Sequence, residues 1–356
     1  MKAIHQFLAG FSLGDAISNE AVVMRGIFRD WGFQSDIFSE PRRILPDLRG
    51  DARDVASFRA ECKPDDIVLL HLSVGSEVNT IFAELPCRKA ILYHNITPAE
   101  YFKGIQDQIA GLLEQGRKQM KTLAGKASVV MADSAFNARE LQEMGYGDVH
   151  VLPLVLDLHR LRKHANRYTL DKYGDDLVNI LFVGRCVPNK RIEDCLDAFY
   201  YFQKYVEPNS RFIHVGSYAG TEQYHALLLT MIRDRQLKNV DLIGATRQDE
   251  LNATYKRSNL FLCMSEHEGF CIPLIEAMVH DVPVLAYAAA AVPETLDGAG
   301  VLFREKRFDL IAEMMGRLVR DHQLRNAIIH GQRERLVRYE KRDLAAELRK
   351  HLAPLL

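Results

Sequence analysis

The stretch that decides the fold runs from Ser265 to Glu276 and reads SEHEGFCIPLIE. It follows an apolar run, 260–264, that predicts a buried strand, and it leads into a helical pattern over 272–280 and a further strand over 282–287. A loop between strand and helix in an open α/β sheet lies at the carboxyl end of the strand, where such sheets bind ligands. The stretch therefore predicts a ligand-binding loop in a doubly wound sheet.

Two carboxylates lie eight positions apart in this stretch, Glu268 in the loop and Glu276 on the helix, without a lysine or arginine between them. Two such groups do not stabilise each other, and they are better explained as hydrogen-bond acceptors for a polyhydroxylated ligand. Gly269 lets the backbone approach a ligand closely, and Pro273 suits the first turn of a helix. The alternative is an ordinary strand, loop and helix with two surface carboxylates.

A second loop with ligand-binding chemistry follows the strand predicted over 178–184. It reads GRCVPNKR over 184–191 and enters a helix predicted to continue through Phe202. Gly184 allows a tight turn, while Arg185 and Lys190 place two cations at the N-terminus of that helix. Backbone donors, a planar guanidinium and an ammonium point charge together suit a diphosphate, although surface cations in contact with solvent are the alternative.

The other strand-like segments are short, rich in valine, isoleucine and leucine, and separated by helical or loop segments, of which the longest predicted helix spans 98–126. This alternation predicts an α/β fold with a parallel, doubly wound sheet in each of two Rossmann-like domains. The predicted strands are 4–8, 34–38, 67–71, 90–94, 129–132 and 149–154 in the N-terminal half, and 178–184, 211–216, 239–243, 260–264, 282–287 and 300–303 in the C-terminal half.

Two further features lie at predicted strand ends of the N-terminal half. The glycine-bearing loop 10–15 precedes a helix predicted over 16–31, which Asp15 or Ser18 is expected to cap, and free N–H groups at a helix N-terminus form an anion site. The loop lacks the GxGxxG pattern, so a structural turn is the alternative. His94 ends a strand on the same side of the sheet, and a histidine satisfied by neighbouring backbone groups is the alternative there.

Composition restricts the class of protein. The chain has 356 residues, which suits two domains, and a net charge of −1, which argues against a general nucleic-acid binder. Its six cysteines are scattered without a CxxC pair, and we expect reduced thiols in a cytosolic enzyme. The sequence shows neither zinc-ligand spacing nor an Asp-x-Asp pair of the kind that holds a metal on a diphosphate, so no metal and no cofactor are expected.

The same sequence predicts a cytoplasmic location. We find no apolar run of bilayer length, and the first ten residues are too short and too soon interrupted for a signal peptide. The basic segment 117–126 could attract an acidic acceptor or the anionic inner face of a membrane, so peripheral association with that face stays open. A solvated helix end, where cations suit the helix dipole, is the alternative for this segment.

The motif carried by Glu268, Gly269, Phe270, Ile272-Pro273 and Glu276 resembles the EX7E signature of the retaining glycosyltransferases of family 4, which have the GT-B fold. The resemblance implies two Rossmann-like domains facing across a cleft. It implies that Glu268 holds hydroxyl groups of a donor sugar and that Glu276 holds the ribose of its nucleotide. Cys271 is a departure, because the family usually has glycine there, and a thiol narrows the space near the sugar.

The resemblance also implies roles outside this motif. Arg185 and Lys190 match the Gly-Arg-x(4)-Lys phosphate clamp, the loop at Gly14 and Asp15 corresponds to one beneath the donor phosphates, and His94 corresponds to a hydrogen-bond donor to the transferred sugar. The loop at Thr246 and Arg247 corresponds to one that recognises the base, on which the flat Arg247 guanidinium could stack. The predicted catalytic residues are Arg185, Lys190, Glu268 and His94, and the predicted donor-binding residues are Gly14, Asp15, Gly184, Thr246, Arg247, Gly269, Phe270, Cys271, Ile272 and Glu276.

Together these features predict a retaining, metal-independent glycosyltransferase. It would move a sugar from a UDP- or GDP-linked donor to a sugar, oligosaccharide or lipid-linked acceptor in glycan, polysaccharide or glycolipid biosynthesis. The predicted domains are 1–158 on the acceptor side, 159–335 for the nucleotide sugar, and 336–356 as a terminal helix that packs back on the first domain. A GT-B nucleotide-sugar epimerase and a non-catalytic nucleotide-binding partner subunit are the alternatives.

Overall fold

The computed structural model of the protein describes residues 2–12 and 14–356. Met1 lies outside the described residues, as does Leu13, which falls in the loop predicted over 10–15. The chain divides into two compact units. Unit 1 comprises the residues up to Glu100 together with Asp107–Leu156 and Asp343–Leu356, and unit 2 comprises Tyr101–Gln106 and Asp157–Arg342.

Unit 1 is built on a seven-stranded parallel sheet with the strand order β3-β2-β1-β4-β5-β6-β7. Its central strands are uninterrupted apolar runs because helices cover both faces of the sheet, so that every residue of β4 is buried. The elements are β1 (Ile4–Leu8), α1 (Ala16–Asp30), β2 (Ile37–Ser39), β3 (Ala52–Asp54), α2 (Val55–Glu61), β4 (Ile67–Leu72), α3 (Glu77–Glu84), β5 (Arg88–Tyr93), α4 (Asp107–Leu123), β6 (Val129–Ala132), α5 (Ala135–Glu143) and β7 (His150–Val151).

Unit 2 is built on a six-stranded parallel sheet with the order β10-β9-β8-β11-β12-β13. The elements are α6 (Leu158–Leu161), α7 (Arg167–Lys172), β8 (Val178–Val183), α8 (Ile192–Tyr201), β9 (Ser210–Val215), α9 (Glu222–Asp234), β10 (Val240–Gly244), α10 (Gln248–Lys256), β11 (Leu260–Cys263), α11 (Ile272–Val279), β12 (Val284–Tyr287), α12 (Val292–Leu296), β13 (Val301–Phe303), α13 (Phe308–Arg320) and α14 (His322–Glu340). In the described part of the chain, no helix combines the length and the apolar composition that a bilayer crossing requires.

The last helix, α15 (Leu344–Leu352), belongs to unit 1. Its Leu348 and Leu352 are fully buried in the same apolar core as Met24 and Phe28 of α1. The sequence placed the start of this terminal segment at 336, whereas the structure places it at 343, because α14 continues without interruption to Glu340. Apart from the short excursion Tyr101–Gln106, the chain passes from unit 1 to unit 2 after Leu156, two residues before the predicted boundary at 158.

Three local predictions were wrong. The helix predicted over 98–126 is a short 3-10 turn at Ala99–Tyr101 followed by α4, because Gly104 adopts a left-handed conformation with φ of 75° that ends helical geometry. Strand β3 was not predicted, since a three-residue edge strand leaves little periodic signal. The helix expected to end at Phe202 continues as a wider π-helical turn over Phe202–Val206.

A close approach of backbones in unit 1 gives the first testable prediction. A Cβ atom on Gly116 of α4 would lie 2.6 Å from the backbone nitrogen of Gly75, whereas a Cβ on Gly111 of the same helix would meet no atom of residues 2–12 or 14–356 within 4 Å. We therefore expect Gly116→Ala to lower the free energy of unfolding by about 1–3 kcal/mol through overpacking. Gly111→Ala should raise it by roughly 0.5–1 kcal/mol, because alanine loses less backbone entropy in a helix.

Urea unfolding of the two variants beside the unmodified protein measures both effects. Equal changes in the two variants would contradict the packing argument, since helix propensity acts on both positions alike.

Candidate functional site

The strand order of unit 2 reverses between β8 and β11, and a crevice at such a switch point is where doubly wound sheets bind ligands. The loop after β8 carries Lys190 and the loop after β11 carries Glu268. The Lys190 Nζ atom lies 2.6 Å from the Glu268 Oε2 atom, and the two side chains are 19% and 9% exposed. The switch point therefore brings together a cation and a carboxylate that are 78 positions apart in the sequence.

The two loops are fastened to each other by Asn189. The Asn189 side-chain amide donates to the backbone carbonyl of His267 at 3.0 Å, and the Asn189 backbone carbonyl accepts from the backbone N–H of Glu266 at 2.9 Å. Asn189 is 4% exposed. The local sequence pattern gives Asn189 no role, because nothing in it shows that the partners of Asn189 lie in the loop after β11.

Lys190 is charged in this crevice. Burial acts to lower the pKa of the Lys190 ammonium, but the Glu268 carboxylate, together with the nearby Cys271 and Cys263 groups, outweighs burial and the net pKa is raised. A charged lysine can neutralise a phosphate, and a carboxylate beside it can accept hydrogen bonds from sugar hydroxyls. The arrangement can thus hold a ligand that carries both kinds of group.

Arg185 lies at the exposed edge of the loop after β8, at the same end of the sheet. Within residues 2–12 and 14–356, its guanidinium makes no hydrogen bond or ion pair with another side chain, so all of its donors are open to a ligand. The neighbouring Gly184 carbonyl accepts from His214 Nε2 at 2.9 Å. Burial lowers the pKa of His214 to about 4, so that this histidine is neutral and fixes the loop by hydrogen bonding alone.

Gly216 is a second residue that sequence analysis missed. A Cβ atom there would lie 1.8 Å from the Gly184 carbonyl oxygen, so only glycine lets the loops after β8 and β9 touch. A glycine at the end of the strand predicted over 211–216 was the available signal, but its partner in another loop was not visible in the sequence.

Glu276 lies on α11, where Tyr255 of α10 donates a hydrogen bond to its Oε2 atom at 2.8 Å. Burial raises the pKa of the Glu276 carboxyl, and the Tyr255 hydrogen bond and the Arg160 charge partly oppose that rise. Tyr255 thus orients the carboxylate that was predicted to hold a ribose, an interaction that spacing along one helix could not indicate.

The residues between the two carboxylates form the turn that starts α11. Phe270 is buried, its ring packs edge-on against Tyr339 at a centroid distance of 6.1 Å, and its carbonyl accepts from the Thr295 hydroxyl. Gly269 and Ile272 are half-buried and Cys271 is buried. These contacts make Phe270 a packing residue that fixes the loop, while Gly269 and Ile272 keep surface open to a ligand.

Thr246 and Arg247 follow β10. The Thr246 Oγ1 atom is buried and has no hydrogen-bond partner among the described residues. The Arg247 side chain is 70% exposed, and both of its contacts with the carboxylate of Asp249 measure 3.2 Å, so its flat guanidinium is held in one orientation. A planar group presented in this way can stack on an aromatic base.

An ion-pair network flanks the start of the loop after β11. Lys306 Nζ lies 2.6 Å from Asp194 Oδ2 and 2.7 Å from Glu266 Oε1. Arg191, at the N-terminus of α8, lies 3.2 Å from the same two carboxylates. Glu266 is thus paired with the cations near α8, whereas Glu268 is paired with Lys190. The sequence did not indicate that the two glutamates have different partners.

Unit 1 has its own switch point between β1 and β4. A cavity of about 250 Å³ opens there, lined among others by Gly10, Ser12, Asp15, Arg43 and Ser73. Gly14 has a φ of 74°, and Asp15 caps α1 by accepting from the backbone N–H of Ser18 at 2.8 Å. Of the two residues expected to cap α1, Asp15 is therefore the cap and Ser18 is not. The donor-binding role of Gly14 and Asp15 stays a prediction.

His94 is the last predicted catalytic residue, and its imidazole is 2% exposed. It stacks on His71 at a centroid distance of 5.1 Å, with His94 Nε2 and His71 Nδ1 2.9 Å apart. His71 Nε2 lies 3.0 Å from Gln6 Oε1, and the Gln6 amide donates to the Ala21 carbonyl, so Gln6 accepts from His71 and His71 in turn accepts from His94. The His94 imidazole is the end of a buried chain of hydrogen bonds. Its contact with a sugar stays a prediction.

The same cluster fixes the charges of both histidines. Burial lowers the pKa of His71 well below its usual value, so His71 is neutral. Burial also acts to lower the pKa of His94, but the carboxylates of Asp133, Glu20 and Asp15 outweigh it, and the net pKa is raised.

These opposite shifts predict a pH dependence of stability. Below the ordinary histidine pKa of 6.5 the unfolded chain protonates His71 and the folded protein does not, so the His71 contribution to stability falls as the pH drops. Above pH 6.5 the folded protein keeps the His94 proton that the unfolded chain releases, so the His94 contribution falls as the pH rises through the folded pKa.

We expect the His94→Gln variant to lose the alkaline part of this dependence. The difference in unfolding free energy between the native protein and the variant should shrink above pH 6.5, at up to about 1.4 kcal/mol per pH unit. Urea unfolding at several pH values measures the difference. A difference that is independent of pH would show that His94 is not protonated in the folded protein.

Two clusters among the described residues bring three metal-ligating groups within 4.8 Å of one another: Glu20, His71 and His94 in unit 1, and Cys263, Glu268 and Cys271 in unit 2. Both ring nitrogens of His71 are taken up by the hydrogen bonds described above, so the first cluster is explained without a metal ion. The second cluster adjoins Lys190.

Comparison with solved structures places the whole chain among known folds. Sucrose-phosphate synthase from Thermosynechococcus elongatus aligns with a TM-score of 0.75 and 17% identity over 100% of this chain and 99% of that one. Anabaena HepE, solved in complex with UDP-glucose, aligns with a TM-score of 0.74 and 16% identity over 99% of each chain. At this identity the likeness shows the fold alone, and it confirms the predicted fold class of two doubly wound α/β domains of the GT-B type.

Sequence comparison reaches part of the chain. O-antigen chain mannosyltransferase B of Escherichia coli is 26% identical over 133 residues, which are 37% of this chain and 34% of that protein. An uncharacterized glycosyltransferase of Methanocaldococcus jannaschii is 25% identical over 150 residues, 42% of this chain and 40% of that protein. The chain thus matches well under half the length of these relatives. Residues 170–335, which include Arg185, Lys190, Glu268 and Glu276, match the family model described as glycosyl transferases group 1.

Proposed function

We propose that this protein is a retaining glycosyltransferase of family 4 that moves a sugar from a UDP- or GDP-linked donor to a hydroxyl acceptor. The acceptor would be a sugar, an oligosaccharide or a lipid-linked glycan in polysaccharide or glycolipid biosynthesis, and the enzyme would work in the cytoplasm or at the inner membrane face. The E. coli relative named as a mannosyltransferase and the UDP-glucose complex of Anabaena HepE support this substrate class.

The observation that carries the proposal is the pairing of Lys190 with Glu268 at the switch point of unit 2. Both residues lie in the segment that matches glycosyl transferases group 1, and their side-chain atoms are 2.6 Å apart in a crevice of the kind that binds nucleotides. A donor that carries a diphosphate and a sugar offers one group for the cation and one for the carboxylate.

In this mechanism the diphosphate is the leaving group. Arg185, Lys190 and the backbone N–H groups at the N-terminus of α8 stabilise its growing negative charge, which requires no proton transfer from the protein. Glu268 orients the donor sugar through its hydroxyl groups. Glu276, held by Tyr255, anchors the ribose, and Thr246 with Arg247 receives the base.

Retention follows if the acceptor attacks the face from which the diphosphate departs and the diphosphate takes the acceptor's proton. The chain's own contribution is to hold the donor in a fixed orientation and to stabilise charge. With Arg185 and Lys190 in that role, the reaction does not require a metal ion on the diphosphate.

A thermal-shift series with UDP, GDP, ADP and their common sugars tests donor binding. Ligand at a hundredfold excess over its dissociation constant stabilises the folded state by about 2.7 kcal/mol, so UDP or GDP and its sugars should raise the melting temperature while ADP does not. No shift with any nucleotide would overturn the proposal.

Transfer is then measured with the nucleotide sugar that binds, and the anomeric configuration of the product is read by NMR. The same configuration in donor and product supports retention, and an inverted product contradicts it. Conversion of the donor sugar without an acceptor would indicate an epimerase, and nucleotide binding without any turnover would indicate a non-catalytic partner subunit.

A further inference from the structure

Two thiols and a carboxylate converge beneath Lys190. Cys263 ends β11, Cys271 precedes α11, and Glu268 lies between them in the sequence. The three residues are 0%, 6% and 8% exposed, and their ligand atoms all lie within 4.8 Å of one another. The loop after β11 therefore closes on itself around three potential metal ligands.

The backbone of Cys271 adopts an energetically unfavourable conformation. Its φ is 71°, in the left-handed region that glycine favours, and a non-glycine residue there costs on the order of 1–3 kcal/mol. The side chain does not offset this cost by capping α11, since it makes no capping hydrogen bond. Its sulfur instead lies within 4.8 Å of the Cys263 sulfur and of a Glu268 carboxylate oxygen.

We propose that Cys263, Cys271 and Glu268 form a binding site for a thiophilic divalent cation such as Zn²⁺. Zinc takes two cysteine sulfurs and a carboxylate oxygen readily, and sulfurs on one tetrahedral zinc lie about 3.8 Å apart, so the three groups need only small movements. Three protein ligands leave a fourth position for water, the pattern of an open zinc site.

Binding exchanges protons for the metal. Each thiol releases its proton to solvent as its sulfur binds the cation, and Glu268 binds as the carboxylate. A divalent cation with two thiolates and one carboxylate carries a single net negative charge, which the Lys190 ammonium beside it offsets. The crevice thus supplies both the ligands and the counter-charge.

The site has a consequence that rests on the proposed function. Glu268 cannot hold a zinc ion and a donor sugar in the same way at the same time, so zinc should compete with the nucleotide sugar. We expect zinc to raise the apparent KM for the donor severalfold, and the donor to weaken zinc binding by the same factor.

Cobalt(II) tests the site directly, because thiolate ligation gives an intense sulfur-to-cobalt absorption in the near ultraviolet that nitrogen and oxygen ligands do not give. The reduced full-length protein should show this absorption, saturating at one equivalent, and zinc should abolish it. Cys271→Gly, which suits the left-handed backbone, and Cys263→Ser should each lose most of the absorption and weaken zinc binding at least tenfold.

Cys62→Ser is the matched control. Cys62 and Cys87 are a second pair of neighbouring thiols, in unit 1, that belongs to neither cluster of three metal-ligating groups found among the described residues. The control should keep the full absorption. Absorption that survives in Cys263→Ser, disappears in Cys62→Ser, or is absent from the native protein would overturn the proposal. Because the absorption needs no donor or acceptor, it decides the metal site whether or not the chain transfers sugars.

Discussion

Replacing Arg185 with alanine is expected to lower the turnover number for sugar transfer by roughly a hundred- to a thousandfold, the usual cost of removing one preorganised charge from a transition state. Its guanidinium has no side-chain partner among the described residues, and it lies in the same loop after β8 as Lys190, the partner of Glu268. The free energy of unfolding should change by less than about 0.5 kcal/mol, because an exposed side chain without partners contributes little to stability.

The kinetic form of the loss distinguishes the role of Arg185. A fall in kcat with little change in KM for the donor means that Arg185 acts on the departing diphosphate, whereas a rise in KM alone means ground-state binding. Arg185→Lys should recover part of the rate, since it keeps the charge and loses the planar fork. Arg233→Ala is the control, because the Arg233 side chain is 76% exposed and its single ion-pair partner among the described residues is Asp234 on α9. Native turnover in Arg185→Ala would remove this residue from the mechanism.

Local pattern predicted the fold well because each unit is a series of strand, loop and helix. Apolar runs such as 67–71 and 260–264 identify buried parallel strands on their own, and the loops after them must then lie at one end of the sheet. The candidate site could be located for the same reason. Arg185 and Lys190 follow one such strand and Glu268 follows another, without any need to know the strand order.

The pattern could not show which loops touch. The strand order that places β11 beside β8 brings Lys190 to Glu268, and it leaves no trace in the residues between them. The same holds for Asn189, whose partners lie in the loop after β11, and for Gly216, whose need for glycine comes from the Gly184 carbonyl. Contacts made across the sheet depend on tertiary packing rather than on periodicity.

Variants of Lys190 and Glu268 separate the contribution of their contact to stability from its contribution to sugar transfer. Lys190→Met removes the partner of Glu268, whose side chain is only 9% exposed, and a buried charge left alone costs roughly 3 kcal/mol of unfolding free energy. Transfer should fall about a thousandfold, because the diphosphate loses a cation and the Glu268 carboxylate loses its fixed position. Glu268→Gln should cost less stability, since the Lys190 side chain is 19% exposed and can turn toward water, but it should also lose most of its transfer.

The double variant Lys190→Met with Glu268→Gln then decides between two explanations of those losses. It leaves no uncompensated charge in the crevice, so its unfolding free energy should return to within about 1 kcal/mol of the native value, as expected when a buried pair is replaced by neutral groups. Its transfer rate should stay as low as that of the worse single variant, because restoring the fold restores neither the cation nor the carboxylate. Recovered transfer in the double variant would mean that the pair serves only to hold the two loops together, and that the donor is bound elsewhere.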